Sequence, residues 1–261
     1  MAEAKKYPPF NPEEDKRKIV AFLKEWFSKN GGPETKAVVG ISGGKDSSVT
    51  AALCTEALGK DRVVGVLMPN GVQADMDDAL RLVNHLGIQY RIVNIGTPFK
   101  EMLKALQYTE VPNHHNFHFA VTEALTQNLA PRLRMAVLYA VAQGVPAGGR
   151  VINTCNASED YVGYSTKFGD SAGDVAPLAA YTVTEVLAIG DSLGLPAELV
   201  HKAPSDGLCG KTDEDNLGFT YAVLDEYIRT GICEDEAVKA NIDRRHEMNK
   251  HKLELLPVVE R

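Results

Sequence analysis

The sequence predicts an α/β protein: an open parallel sheet flanked by helices, formed by a single domain. Three observations carry this. Short apolar, β-branched runs alternate along the chain with segments of helical periodicity. The runs are apolar throughout rather than alternating, as strands buried on both faces are. A glycine-rich turn leads straight from the first run into a helix, and the next two helices each close on a glycine.

The elements follow in order. Asn11 can cap a helix that Pro12 opens, with Glu13, Glu14 and Asp15 at its positive end. Ile19, Phe22, Leu23 and Trp26 give that helix one apolar face, and Gly31-Gly32 ends it. A strand is expected at 37–41, a helix at 47–58 closed by Gly59, and a strand at 62–68. A helix at 74–86 closed by Gly87 and a strand at 90–95 come next. The middle, 99–143, reads as mostly helical, followed by a fourth strand at 150–154. The stretch 155–177 shows no periodicity and reads as a long functional loop. A helix at 184–193, a second irregular stretch at 202–214 and a helical end at 217–250 complete the chain. No repeat or shift of composition divides it, so 1–261 is expected to be one domain with a helical C-terminal part.

Composition narrows the class. Hydrophobic residues make up 44% and charged residues 24% of the 261, ordinary values for a soluble globular chain. No run approaches the roughly 18 apolar residues that span a bilayer, and 1–10 lacks the apolar core of a signal peptide. A cytoplasmic protein without membrane contact is expected. A net charge of −7 argues against a nucleic-acid partner, whose backbone calls for a basic face. Cys54, Cys155, Cys209 and Cys233 show neither CxxC nor zinc spacing and read as free thiols. His114, His115 and His118 cluster without a completing carboxylate and read as a polar connection rather than a metal site.

The strongest local signal is Gly40-Ile41-Ser42-Gly43-Gly44-Lys45-Asp46-Ser47-Ser48. It leaves a buried strand and enters a helix, so adjacent glycines, hydroxyls and unpaired helix N–H groups converge on an anion. It is not a Walker A loop: Val39 stands at the first required glycine and Asp46 at the required Ser/Thr. A carboxylate there suits Mg²⁺ shared with phosphate oxygens.

This run resembles the PP-loop of ATP pyrophosphatases, which cleave ATP between the α and β phosphates and leave AMP on a substrate. Three further segments resemble the ammonia-dependent NAD synthetase family over most of the chain. The first is Asn128-Leu129-Ala130-Pro131-Arg132-Leu133-Arg134-Met135, similar to an N-x-x-A-R-x-R-M helix. Arginines two apart do not share a helix face, so Arg134 is assigned to the ligand and Arg132 to a structural pair. The second joins Thr154, Asn156, Ser158 and Glu159 to Gly163-Tyr164, Thr166-Lys167, Gly169-Asp170 and Asp174. The third is Pro204-Ser205-Asp206-Gly207-Leu208, followed by Asp213-Glu214 and Gly218-Phe219-Thr220-Tyr221, with His251-Lys252 near the end.

The resemblance implies a Rossmann-like fold of the adenine nucleotide α-hydrolase type. It also implies that ATP binds Ser42, Gly43, Gly44, Ser47, Ser48, Thr154 and Ser205, the last on a closing loop. Mg²⁺ would sit on Asp46 and Glu159. Deamido-NAD would be held by Arg134, Lys167, Asp174, His251 and Lys252, with Asp46, Lys167 and Asp174 closest to the chemistry. The carboxylate of deamido-NAD would attack the α-phosphorus of ATP, and ammonia would then displace AMP. Too little chain precedes Ser42 for an amidase domain, so free ammonia is the expected nitrogen donor. A homodimer is implied, buried through the helical middle and C-terminus. The sequence departs from the family at Asn153, where a glycine is usual, at Val183, where a lysine contacts ATP, and at Leu253, where a basic residue is usual. The rivals are another PP-loop enzyme, such as a GMP-synthetase ATPase subunit or a tRNA-modifying enzyme, and a non-catalytic nucleotide sensor. A tRNA-modifying enzyme would show a basic surface and often cysteine pairs, and a sensor need not keep both Asp46 and Glu159.

Overall fold

A computed structural model describes residues 9–72, 76–107, 119–202 and 212–259. Its centre is a four-stranded sheet of order β3-β2-β1-β4, with every pair parallel. The strands are β1 (Lys36–Gly40), β2 (Val63–Leu67), β3 (Gln89–Ile92) and β4 (Gly149–Ile152). The crossovers are helical, as parallel neighbours require.

Helices α1 (Pro12–Asn30) and α2 (Lys45–Leu58) precede α3 (Met76–Leu86) and α4 (Gly96–Gln107). The long α5 (Glu123–Gly144) leads into β4. Asn11 caps α1, its side chain accepting from the Glu14 N–H, as the sequence predicts. Beyond β4 come α6 (Ala157–Val162), α7 (Val183–Ser192), α8 (Ala197–Val200), α9 (Asp213–Leu217), α10 (Tyr221–Thr230) and α11 (Glu236–Asn249).

Alternate residues of β1 feed two cores, which is why its run is apolar throughout. Ala37 and Val39 pack with Leu23 and Phe27 of α1, Leu53 of α2 and Ile189 of α7. Val38 faces the other way, with Met135, Leu138 and Ala142 of α5. A third core joins Val162, Val183, Leu217, Tyr221, Leu224 and Ile242 across the C-terminal helices. The edge strand β3 differs from the other strands, since all four of its residues are exposed.

Several boundaries move. Helix α2 starts at Lys45, two residues ahead of the expected 47, which puts Lys45 and Asp46 on its first turn. The stretch 155–177 is not wholly irregular: it contains α6, whose six residues are too few to show periodicity. The expected continuous helical end divides at Gly218 and again at Gly231, both in the left-handed region at φ 81° and 76°. Pro131 lies inside α5, where it removes one helical hydrogen bond.

Candidate active site

The turn after β1 is closed by its own serines. The Ser42 and Ser47 hydroxyls lie 3.1 Å apart, and the Gly44 N–H donates to Ser42 Oγ at 3.2 Å. Gly43 takes φ 83°, a conformation that favours glycine. Gly44 caps α2 without any side-chain hydrogen bond, so the first-turn N–H groups are free for an anion. Ser48 sits differently: it is fully buried and its hydroxyl donates to the Gly44 carbonyl at 2.8 Å. The Ser47 hydroxyl also reaches that carbonyl, at 3.1 Å, so both serines brace the turn.

Asp46 and Glu159 are brought together by a residue absent from the expected ligands. Asn156, fully buried, caps α6 by accepting from the Ser158 and Glu159 N–H groups, both at 3.0 Å. Its amide donates to Asp46 Oδ1 at 3.0 Å. One asparagine thus holds the Asp46 carboxylate and the backbone that carries Glu159. Its signal was present in the sequence, because Asn156 followed three residues later by Glu159 is helix-capping spacing.

Lys45 and Asp213 complete the cluster. Lys45 Nζ lies 2.9 Å from Asp46 Oδ2 and 5.5 Å from the Tyr221 ring centroid. The Tyr221 hydroxyl donates to Asp213 Oδ2 at 3.3 Å. Burial pushes the Glu159 carboxyl well above the usual range; Asp46 adds to this, Lys45 opposes it and Asp213 adds a little more. Burial alone would pull Lys45 down, but the charges of Asp46, Glu159 and Asp213 and the bond to Asp46 hold it above its ordinary value. Three carboxylates against one ammonium leave a formal surplus of two negative charges, which suits a divalent cation. Mg²⁺ takes one or two carboxylates and completes its shell with phosphate oxygens and water, so Asp46 and Glu159 fit it. Among the described residues no group of three or more His, Cys, Asp or Glu forms a cage that would bind a metal alone.

Thr154 lies two residues past the end of β4 and is half-buried, on the side of the sheet where such folds bind ligands. Asn153, where the family glycine was expected, is a brace. Its amide donates to the carbonyls of Asp170 and Ala172, at 2.9 and 3.1 Å, and its Oδ1 accepts from the Cys155 N–H. A Cβ at Gly173 would stand 2.8 Å from that of Asn153, so the two residues fit as a pair. Val183 is buried beside Tyr221 in the third core. Burial pushes the Cys54 thiol up to about 12 and that of Cys155 well up, so neither is a nucleophile at neutral pH.

The residues assigned to deamido-NAD fall into three places. Lys167 Nζ donates to the His251 carbonyl at 2.5 Å, and Lys252 Nζ to the carbonyls of Gly163 and Ser165, at 2.7 and 3.0 Å. These three form one group. Arg134 lies at the end of β2, its Nε donating to the Met68 carbonyl at 3.1 Å; burial lowers its pKa, opposed by Asp170. Asp174 sits lower on the β4 edge, accepting from the Val151 N–H at 2.7 Å and the Tyr139 hydroxyl at 3.2 Å. Ser205 and Cys209, and His114, His115 and His118, lie outside the described residues.

A parallel sheet with an uncapped, serine-closed turn after its first strand and a paired-carboxylate mouth defines an ATP-using enzyme of the PP-loop type. The comparisons agree. A family model described as NAD synthase matches residues 16–257. A Thermococcus sibiricus protein called NH(3)-dependent NAD(+) synthetase is 38% identical, with 91% of this chain and 87% of the relative covered. Among solved structures, an NMN synthetase from Francisella tularensis superposes with TM-score 0.85 at 33% identity, covering 96% of this chain and 99% of that one. An NAD+ synthetase from Burkholderia pseudomallei gives 0.75 at 29%, covering 96% and 93%. The chain belongs to the NAD synthase family. It is a ligase that forms a C–N bond with ATP as co-substrate.

Proposed function

We propose that this chain converts deamido-NAD to NAD with ammonia and ATP, through an acyl adenylate, releasing AMP and pyrophosphate. The observation that carries the mechanism is the coupling of Asp46 and Glu159 through Asn156 at the mouth of the phosphate turn. Ser42, Gly43, Gly44 and Ser47 would receive the pyrophosphate on N–H and hydroxyl donors, and Thr154 and Ser205 would add contacts to ATP. Asp46 and Glu159 would hold Mg²⁺, which supplies charge stabilisation to the phosphates when bound. Lys167, His251 and Lys252 would bind deamido-NAD as one basic group, with Arg134 and Asp174 contributing from the sheet. Lys167 and Asp174, with Asp46, would lie closest to the chemistry and orient the substrate. Free ammonia as donor is supported by the names of relatives covered along most of their length.

A homodimer is supported by apolar side chains left exposed on α4 and at the C-terminus, including Met102, Leu255 and Leu256. No described helix is long and apolar enough to cross a membrane. Two buried free thiols suit a reducing compartment, and we place the protein in the cytoplasm as a single catalytic domain.

A second reading has one observation in its favour: the TM-score of 0.85 to a protein called NMN synthetase. The same adenylation and amidation could act on the deamido form of that mononucleotide. One assay separates the two readings. ATP, Mg²⁺ and an ammonium salt are supplied with either deamido-NAD or nicotinate mononucleotide, and amide and AMP are measured. Equal amounts of NAD and AMP, dependent on ammonium, are expected with deamido-NAD; higher kcat/KM on the mononucleotide would reverse the order of the readings. Asp46→Ala should lose AMP formation while keeping a cooperative thermal transition, and near-normal turnover would end the metal assignment.

A further inference from the structure

The carboxylates assigned to the metal already have a cation among them. Lys45 is 7% exposed and sits on the first turn of α2, one residue from Asp46. Its ammonium is 2.9 Å from Asp46 Oδ2, and the charges of Glu159 and Asp213 also act on it. The other Asp46 oxygen is held by Asn156, so the carboxylate is fixed from both sides. A buried ammonium is costly unless paired, and so are three neighbouring carboxylates; each relieves the other.

A divalent ion entering alone would meet that ammonium at Asp46. Like charges a few ångströms apart in a half-buried site repel strongly, and the lysine would be left without its partner. An ion entering with a nucleotide is a different case. It brings phosphate oxygens, which can accept the ammonium as it leaves Asp46, and the turn at Ser42 to Asp46 places those oxygens within reach of the same helix end.

We propose that Lys45 is a tethered counter-ion that competes with the divalent metal for Asp46, so that metal is admitted together with nucleotide and held weakly without it. Lys45 is therefore a positioning residue, acting through Asp46. The proposal rests on the metal reading of Asp46 and Glu159.

The test measures Mn²⁺ binding by electron paramagnetic resonance and calorimetry, with and without α,β-methylene-ATP. Lys45→Met is expected to bind Mn²⁺ alone at least roughly tenfold more tightly than wild type, an affinity change of about 1.4 kcal/mol. Lys45→Arg, which keeps the charge, should stay close to wild type. Unchanged Mn²⁺ affinity in Lys45→Met, or equal tightening in Lys45→Arg, would overturn the proposal. If Lys45→Met folds only with millimolar Mn²⁺ present, the metal is replacing the ammonium, and the proposal stands. If it folds neither with nor without metal, Lys45 is a packing element and the proposal falls. Asp46→Asn keeps the two questions apart: undiminished Mn²⁺ binding with the nucleotide analogue in that variant would remove the metal site itself, whatever Lys45 does.

Discussion

Asp160 shows how finely neighbouring side chains divide their tasks. Glu159 turns to the phosphate turn, whereas Asp160 turns to a cavity of about 640 Å³ lined also by Tyr161, Arg229 and His246. Among the described residues its Oδ1 is buried without a hydrogen-bond partner, and burial, aided by Asp170, pushes its pKa up to about 6. An acid whose folded pKa exceeds its unfolded value binds more protons when folded, so stability falls as pH rises from about 4 to about 6. Asp160→Asn should match wild type near pH 4 and exceed it at pH 8, by on the order of 1–3 kcal/mol. Thermal melts across that range check this, and a difference independent of pH would refute it. At this scale the sequence was legible where chemistry is local. Ser42, Gly43, Gly44 and Asp46 could be read from one run of residues. The bond between Asn156 and Asp46 spans 110 positions, and no spacing rule reaches that far.

Among the elements, two short helices, α8 and α6, were hidden in plain text, and the case of α6 is the more instructive. Its six residues make less than two turns, so no apolar stripe could reveal it, yet its ends are marked. Asn156 opens it, and Gly163 closes it at φ 64°. That glycine is also a contact point: a Cβ there would fall 2.0 Å from Asn249 Cβ on α11. Gly163→Ala therefore combines a left-handed strain of about 1–2 kcal/mol with an overlap costing about 1–3 kcal/mol. A loss of roughly 2–5 kcal/mol in urea unfolding is expected, together with weaker Mn²⁺–nucleotide binding because α6 carries Glu159. A loss of only about 1–2 kcal/mol would mean that α11 shifts freely and the strain alone remains, and a smaller one would refute both terms. The strands were easier to read, because β1 and β2 are buried on both faces and their apolar runs leave no other assignment. The exposed β3 was found through its position in the alternation rather than its burial.

For the whole molecule, the proposed pairing of two copies makes a direct prediction. Sedimentation equilibrium should give twice the mass of 28.4 kDa. Leu256→Asp, at a residue 68% exposed here, should weaken that association. A monomer at all concentrations would remove the dimer, leaving the exposed C-terminal residues unexplained. The parallel sheet and its helices were legible in full outline, since alternation is a property of the whole chain. The three separate locations of Arg134, Asp174 and the Lys167–His251–Lys252 group were not, because motif order says nothing about where on a sheet a side chain ends. Resemblance supplied the list, but only three-dimensional placement divides it.

One bond joins parts of the chain that are made at very different times. Ser158, beside Glu159, donates its hydroxyl to Asp225 Oδ1 at 2.5 Å, and the other oxygen of Asp225 accepts from the Thr184 N–H and hydroxyl. Helix α6 is thus fastened to a residue of α10, 67 positions downstream of Ser158. During synthesis the phosphate turn emerges early, while the clamp that fixes Glu159 arrives only with residue 225. A nascent chain stalled before that point would lack the Ser158–Asp225 contact, so the tie that fastens α6 to the C-terminal helices is among the last to become available.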